Sequence, residues 1–203
     1  MFAIETIVED SLYAIRYEDE HDEFENNEFE EDTSPKDELR RIFSNWSDVE
    51  YLYAFFSKHE EDLKKDFYGF TSIEDAVNRT LAEADELEKE LLDVAKKGKE
   101  DVSQSLQTLF KPLNKKDEKL FPIPDYQESK VYGNEYKSWL RIYAIRIDIN
   151  VFIITGGAIK LTQTMNERPH LQKELDNLKR VKQFLKNEGI IDNDSIVDFI
   201  ELY

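Results

Sequence analysis

The chain contains no cysteine, and this absence removes several chemistries at once. Disulfide bonds, thiolate nucleophiles and cysteine-ligated zinc sites all need a residue that the sequence lacks. Histidine is scarce too. His21, His59 and His170 are the three in the chain, and no two of them have the spacing of metal ligands on one helical turn. We therefore expect no metal site and no bound cofactor.

Long hydrophobic runs are also absent. No stretch approaches the roughly 20 apolar residues of a membrane-spanning helix. The N-terminus carries Glu5, Glu9 and Asp10 where a secretory signal would be basic. Apolar residues still make up 40% of the 203 positions, which is enough for a folded core. These features predict a soluble cytoplasmic protein with one domain over residues 1–203 and no membrane association, and they leave its oligomeric state open.

The net charge of −18 is distributed unevenly along the chain. Residues 1–100 contain 30 acidic and 12 basic side chains, whereas residues 101–203 contain 15 of each. Within residues 111–186 the balance reverses, with 15 basic and 9 acidic side chains. The first half is therefore expected to repel nucleic acid, while the later segment tolerates it.

Strand and loop patterns mark the N-terminal region. Residues 1–17 alternate between apolar and polar positions in two short runs, which predicts a hairpin or one bent strand. Residues 18–38 then hold twelve acids with little apolar periodicity. The simplest interpretation is a solvated acidic loop. The alternative is a segment that folds over the later cations and competes with RNA phosphate for them.

Helical signals fill the rest of residues 18–110, which we interpret as an acidic helical insertion. Ser34-Pro35 predicts one helix start, and Ser47–Glu50 and Thr71–Glu74 have the spacing of capping boxes. The helix that begins near Thr71 should end at Gly98 in a left-handed cap. A further helix is predicted over residues 100–110.

After Pro112 the pattern changes to the alternation of strands. Residues 127–133, 138–148 and 151–155 read as consecutive strands, with a turn at residues 148–150. Arg168-Pro169 marks a helix start, and Asp192 or Asp194 should cap a final short helix. Residues 111–203 thus supply a sheet and C-terminal helices. The fold class predicted is α+β, a small antiparallel sheet flanked by several helices.

Cations lie on or beside these strands, at Lys130, Lys137, Arg141, Arg146 and Lys160. Strand alternation is expected to place Trp139, Arg141 and Tyr143 on one face, where guanidinium and aromatic groups suit RNA phosphates and bases. The alternative is an ordinary half-exposed sheet face covered by arginine stems. Gly156-Gly157 favours a bulge over a nucleotide-binding loop. His170 is either a general acid or an ordinary surface residue.

The segment from about residue 110 to residue 185 resembles the RelE/ParE-like toxin superfamily, most closely its HigB-like branch. The resemblance is carried by Phe110-Lys111-Pro112-Leu113, Gln127-Glu128-Ser129-Lys130, Trp139-Leu140-Arg141-Ile142-Tyr143, residues 151–155, Ala158-Ile159-Lys160-Leu161-Thr162, and Pro169 followed by a helix. Leu161 stands where the family has a second lysine, and the family's terminal Tyr or His has Thr164 or His170 as its nearest counterpart.

This resemblance implies a small twisted sheet flanked by helices, here a RelE-like core with the acidic insertion. Family members are often ribosome-dependent ribonucleases inhibited by an antitoxin, others act on gyrase, and some are inert. Carried over to the matching positions of this chain, the resemblance implies a metal-free endoribonuclease acting on mRNA. Its catalytic residues would be Lys130, Arg141, Lys160 and His170, and its substrate-binding residues Lys137, Trp139, Tyr143 and Arg146. The partners implied are an antitoxin protein and mRNA on the ribosome.

Two further hypotheses stay open at this point. The chain could be a non-catalytic RelE-like scaffold that binds a protein partner through its acidic half. It could also be an acidic mimic of nucleic acid that occupies a basic groove on another protein. Clustering of Lys130, Arg141 and Lys160 on one face would favour the nuclease.

Overall fold

The structure is a computed structural model that describes residues 2–17, 37–65, 71–114, 125–134 and 137–202. Its centre is a six-stranded sheet with helices packed on both faces. The α+β prediction is confirmed. Residues 18–36 lie outside the described residues, and with them most of the acidic run and the predicted helix start at Ser34-Pro35.

The strands are ordered β1-β2-β6-β5-β4-β3 across the sheet. They comprise β1 (Phe2–Val8), β2 (Leu12–Tyr17), β3 (Lys111–Pro112), β4 (Gln127–Tyr132), β5 (Leu140–Asp148) and β6 (Val151–Ile159). The pairs β1–β2, β6–β5, β5–β4 and β4–β3 are antiparallel. The pair β2–β6 is parallel. A parallel pair needs a long crossover connection. The helices between β2 and β3 belong to that connection.

Several helices cover the sheet, with 3-10 turns at Val102–Gln104 and Met165–Glu167. They are α1 (Glu38–Ser47), α2 (Val49–Lys58), α3 (Glu60–Leu63), α4 (Ile73–Lys97), α5 (Leu106–Leu109), α6 (Pro169–Asn187) and α7 (Asn193–Leu202). The predicted helix over residues 100–110 was wrong as a single element, because Ser105 is extended and separates the 3-10 turn from α5.

The helix caps of the structure differ in detail from those predicted from the sequence. Asp48 and Ser72 are the N-caps of α2 and α4, one residue later than the predicted Ser47 and Thr71. The left-handed cap expected at Gly98 was wrong, since its φ of −63° and ψ of −14° are right-handed. A Cβ at Gly98 would instead collide with the side chain of Asn150 and the backbone of Ser105. Glycine is needed there for close approach, not for a positive φ.

The β5–β6 hairpin matches the predicted strands. A turn at Ile149-Asn150 connects them, and β6 continues through Gly156-Gly157 to Ile159. The expected bulge is present, because Tyr143 pairs with Gly156 while Ala144 pairs with Ile154, which leaves Thr155 as the extra residue.

Two hydrophobic cores lie on opposite faces of the sheet. One face packs against α1, α2, α4 and α5, with Ile142, Ala144 and Ile154 contributed by the strands. The other packs against α6 and α7, with Tyr143, Ile145 and Ile153 from the strands and Leu171, Leu178, Val181 and Leu185 from α6. Full burial of a leucine or valine side chain stabilises by about 1.5–3 kcal/mol. This apolar stripe therefore fixes α6 against the sheet.

Among the described residues, no helix combines the length and the apolar character that a bilayer crossing requires.

Candidate functional site

Strand register places Lys130 and Arg141 on the same face of the sheet. Lys130 pairs with Tyr143, and Tyr132 pairs with Arg141, which in turn pairs with Ala158. Directly opposed residues share a face, and side chains on one strand alternate. Lys130, Tyr132 and Arg141 therefore project to the side on which Tyr143 packs against the helix α6.

Lys130, Arg141 and Lys160 form what we call the cation cluster. The Lys130 Nζ is 5.6 Å and the Arg141 Cζ 4.1 Å from the centroid of the Tyr132 ring, so the two groups are no more than about 10 Å apart. Lys160 follows β6, and its backbone N–H donates to the Trp139 carbonyl at the start of β5. The structure thus brings together three of the four residues that the sequence predicted as catalytic.

The electrostatics of the cluster act most on Lys160. Burial lowers the pKa of the Lys160 ammonium, and the nearby positive charges of Arg141 and Lys130 lower it further. The carboxylate of Glu167 opposes this shift. Like charges this close disfavour the charged form of Lys160 unless an anion joins them. The arrangement therefore suits an anionic ligand.

Each cation of the cluster also donates to main-chain carbonyls. Lys130 Nζ donates to the Leu113 oxygen at 2.9 Å, and Lys160 Nζ to the oxygens of Thr162 and Gln163 at 2.5 and 2.6 Å. Arg141 Nη1 donates to the oxygens of Ser138 and Leu140. These bonds hold the side chains in place near the end of the sheet.

Beneath the cluster lie two buried polar residues. Tyr143 is 1% exposed, and burial raises the pKa of its phenol, as does the negative charge of Glu174 on α6. Glu174 is also buried, and its carboxylate occupies the space that a Cβ at Gly156 would fill. Absence of a side chain at Gly156 thus lets an acidic residue approach the strand next to Tyr143.

Three of the four predicted substrate-binding residues are buried, which contradicts the expectation of an open face made from them. Trp139 is 0%, Tyr143 1% and Arg146 9% exposed. Arg146 lies on the opposite side of the sheet from Arg141, where its Nη2 donates to Gln107 at 3.1 Å. Lys137 is exposed and has a positive φ of 59° in the turn before β5.

Trp139 differs from the prediction for a clear reason. The alternation that would place it beside Arg141 begins only at Leu140, where β5 starts. Trp139 instead turns into the core, where its Nε1 donates to Thr80 Oγ1 at 2.9 Å and its ring packs against Phe56. It ties the start of β5 to α4 and α2.

His170 contacts the last residue of β6, which directly precedes Lys160. Its ring lies 5.0 Å from that of His59 and 5.5 Å from that of Phe55, and its Nε2 contacts the Ile159 carbonyl. Burial lowers the pKa of His170, and the charges of Arg168 and Lys58 add to that shift. The hydrogen bond with the Ile159 carbonyl opposes this shift, and the ring packs against Phe55 on α2. No contact of the described residues shows it acting as general acid for this cluster, so that role stays a prediction.

The sequence missed two residues at this site. Tyr132 and Lys111 both reach the cluster, with the Lys111 Nζ 5.9 Å from the Tyr132 centroid. A signal for Tyr132 existed, because it stands two positions after Lys130 on the same strand and so shares its face. Lys111 belonged to one element of the family resemblance, but no alternation indicated its face, since its strand β3 has only two residues.

The described residues contain no group of three or more His, Asp or Glu side chains arranged to hold a metal ion. Comparisons with protein-family models, with curated proteins and with solved structures found no match to the chain. The resemblance to RelE/ParE-like toxins therefore stays a prediction, and function is argued from the site alone.

Proposed function

We propose that the protein is a toxin-type endoribonuclease that binds an RNA phosphate at the cation cluster and cleaves without a metal ion. The observation that supports this proposal is the convergence of Lys130, Arg141 and Lys160, which come from β4, β5 and the segment after β6. Phosphate oxygens accept charge-assisted hydrogen bonds from guanidinium and ammonium groups. A phosphodiester there would bring the negative charge that three clustered cations favour.

In the proposed reaction the RNA 2′-hydroxyl attacks the adjacent phosphorus atom. The new P–O2′ bond forms as the P–O5′ bond breaks, which yields a 2′,3′-cyclic phosphate and a free 5′-hydroxyl. Lys130 orients the attacking hydroxyl. Arg141 and Lys160 stabilise the negative charge that develops on the phosphorane oxygens, the kind of interaction that usually contributes most to catalysis.

Proton transfer to the leaving oxygen is assigned to Lys160 in place of His170. A lowered pKa makes the Lys160 ammonium a stronger acid than an ordinary lysine, which suits it to protonate the departing 5′-oxygen. The proton released by the 2′-hydroxyl then restores the ammonium through solvent. His170 is left out of the proposed reaction, because its pKa is lowered by burial and its ring packs against that of His59.

The test is an induced-expression and cleavage experiment on matched arginine variants. Wild type should arrest growth on induction. The purified protein should cut mRNA in the presence of EDTA and leave 2′,3′-cyclic phosphate ends. Arg141→Ala should lower cleavage at least about 100-fold, the scale of one lost transition-state donor. Arg40→Ala, whose side chain is 74% exposed on α1, is the matched control and should cleave normally. Equal activity of both variants would remove Arg141 from the mechanism.

The main-chain contacts of the same cations favour a second candidate, a non-catalytic scaffold that binds a protein partner. Lys130, Arg141 and Lys160 each donate to backbone carbonyls, which is also what structural cations at a sheet end would do. This candidate predicts no cleavage by wild type under any condition. It also predicts that Arg141→Ala lowers the melting temperature more than Arg40→Ala does.

A further inference from the structure

Tyr132 is an exposed aromatic ring enclosed by positive charges. Its side chain is 36% exposed at the end of β4, whereas Tyr143, two rows away on the same face, is buried. Arg141 Cζ, Lys130 Nζ and Lys111 Nζ lie 4.1, 5.6 and 5.9 Å from its centroid. The three cations come from three adjacent strands.

Strand pairing within the described residues leaves Tyr132 without a cross-strand partner on its outer side. The outer strand β3 pairs with β4 only at Ser129 and Lys130, so its two residues end before Tyr132 is reached. Tyr132 pairs inward with Arg141 on β5. An accessible ring next to a row of cations has the composition of sites that hold single-stranded nucleic acid, in which bases stack on aromatic rings and phosphates meet lysine and arginine.

We propose that Tyr132 is a nucleobase platform and that Lys111 is a phosphate ligand beside it, so that the site takes unpaired nucleotides rather than a duplex. This inference rests on the proposed function, because it names the form of RNA that the cluster binds. The bases of a duplex are stacked on their neighbours and cannot lie on a protein ring. The site should therefore bind single-stranded RNA more tightly than duplex RNA.

The test compares binding of three probes by fluorescence anisotropy: a labelled single-stranded RNA, an abasic oligonucleotide of the same length, and a blunt RNA duplex. Tyr132→Leu should weaken binding of the single strand about 5- to 100-fold, the loss expected for one base–aromatic stack. It should leave the abasic probe unchanged. Tyr132→Phe should restore wild-type affinity, because the ring is what stacks. Lys111→Ala should weaken the single-stranded and abasic probes alike.

Tyr53→Leu is the matched control, since Tyr53 is 53% exposed on α2. Melting temperatures of all variants report on folding. An equal loss on single-stranded and abasic probes, or no loss on either, would overturn the platform, as would absence of RNA binding by wild type.

Cleavage is scored separately. Binding with base-dependent loss but no cleavage keeps the platform and removes the nuclease, whereas wild-type cleavage by Tyr132→Leu keeps the nuclease and removes the platform.

Discussion

At the scale of single residues, the close approach of β6 to its neighbours depends on Gly157. A Cβ at this position would lie 2.8 Å from Ile42 Cδ1 on α1 and 2.9 Å from the carbonyl oxygen of Arg141. The isoleucine methyl can turn aside. The carbonyl belongs to the adjacent strand and cannot move without disturbing the ladder that positions Arg141.

Gly157→Ala is therefore expected to destabilise the fold by about 1–3 kcal/mol, the usual cost of overpacking a core. Urea unfolding at pH 7 measures this directly. Gly189→Asn is the control, because Gly189 has a φ of +69° with open space around it, and asparagine tolerates that conformation. If Gly157→Ala has the unfolding midpoint of wild type, then β5 and β6 make room for the extra methyl group without loss of stability.

At the scale of elements, one side chain joins four segments at the turn between β5 and β6. Asn150 Oδ1 accepts from the Leu106 backbone N–H at 2.8 Å, and its Nδ2 donates to Ser11 Oγ and the Ala95 carbonyl at 2.9 and 3.1 Å. These contacts connect the β5–β6 turn to the β1–β2 turn, the end of α4 and the start of α5.

Asn150→Ala should lower the free energy of unfolding by about 1–3 kcal/mol, because it removes the acceptor of the Leu106 backbone N–H and two donated hydrogen bonds. Asn150→Asp should also destabilise at neutral pH, since a carboxylate keeps the acceptor for Leu106 but loses both donors. The exposed Asn166→Ala serves as control and should change stability by less than about 0.5 kcal/mol. Equal stability of the Ala and wild-type proteins would rule out this role for Asn150.

The strands were more predictable than the helix ends or the sheet order. Alternation after Pro112 and the turn at residues 148–150 indicated β4, β5 and β6, because these signals are local in sequence. The parallel pairing of β2 with β6 is not local, and no pattern in residues 1–17 indicates it. Lys130 and Arg141 were predictable on one face by parity, whereas Trp139 was not, because it precedes the first residue of β5.

A second group at the element scale links α2 and α3 to α6. His59 and His170 are in ring contact at 5.0 Å, and Asp62, which is 2% exposed, accepts from Arg168 at 2.6 and 2.7 Å. Burial lowers the pKa of both imidazoles, and the charges of Lys58 and Arg168 reinforce this, while Asp62 opposes it. Folding therefore favours the neutral form of both rings.

The lowered histidine pKa values predict how the free energy of unfolding depends on pH. Below the ordinary histidine pKa of 6.5 the unfolded chain binds protons that the folded protein does not yet bind. The free energy of unfolding therefore falls as the pH drops toward the lowered histidine pKa values of the folded protein. The pKa of Asp62 is lowered, so its contribution is lost only below its ordinary value of 3.8, outside this window. The double variant His59→Gln, His170→Gln should lose less stability than wild type between pH 7 and pH 5. Parallel curves would show that the pair is not the sensor.

At the scale of the whole molecule, an acidic first half and a neutral second half share one fold. Residues 1–100 carry the entire net charge of −18, while the cation cluster lies on strands from the neutral second half. Like charges at this density destabilise a compact state, and salt screens them. Salt also competes with cations for nucleic-acid phosphate. The same ions should therefore strengthen the fold and weaken the function that we propose.

Raising NaCl from about 20 mM to about 500 mM, where screening shortens from tens of ångströms to a few, should raise the melting temperature. Over the same range single-stranded RNA affinity should fall, with a slope of log K against log salt between about −2 and −3 if Lys111, Lys130, Arg141 and Lys160 all contact phosphates. Lys130→Ala should reduce that slope by about 0.7 and leave the salt dependence of melting unchanged, because one exchanged phosphate contact alters binding without altering the acidic half. Lys179→Ala, an exposed lysine on α6 paired with Asp176, is the matched control and should change neither slope. A flat binding curve would mean that the cluster contacts no phosphate, even if the melting temperature rises as expected.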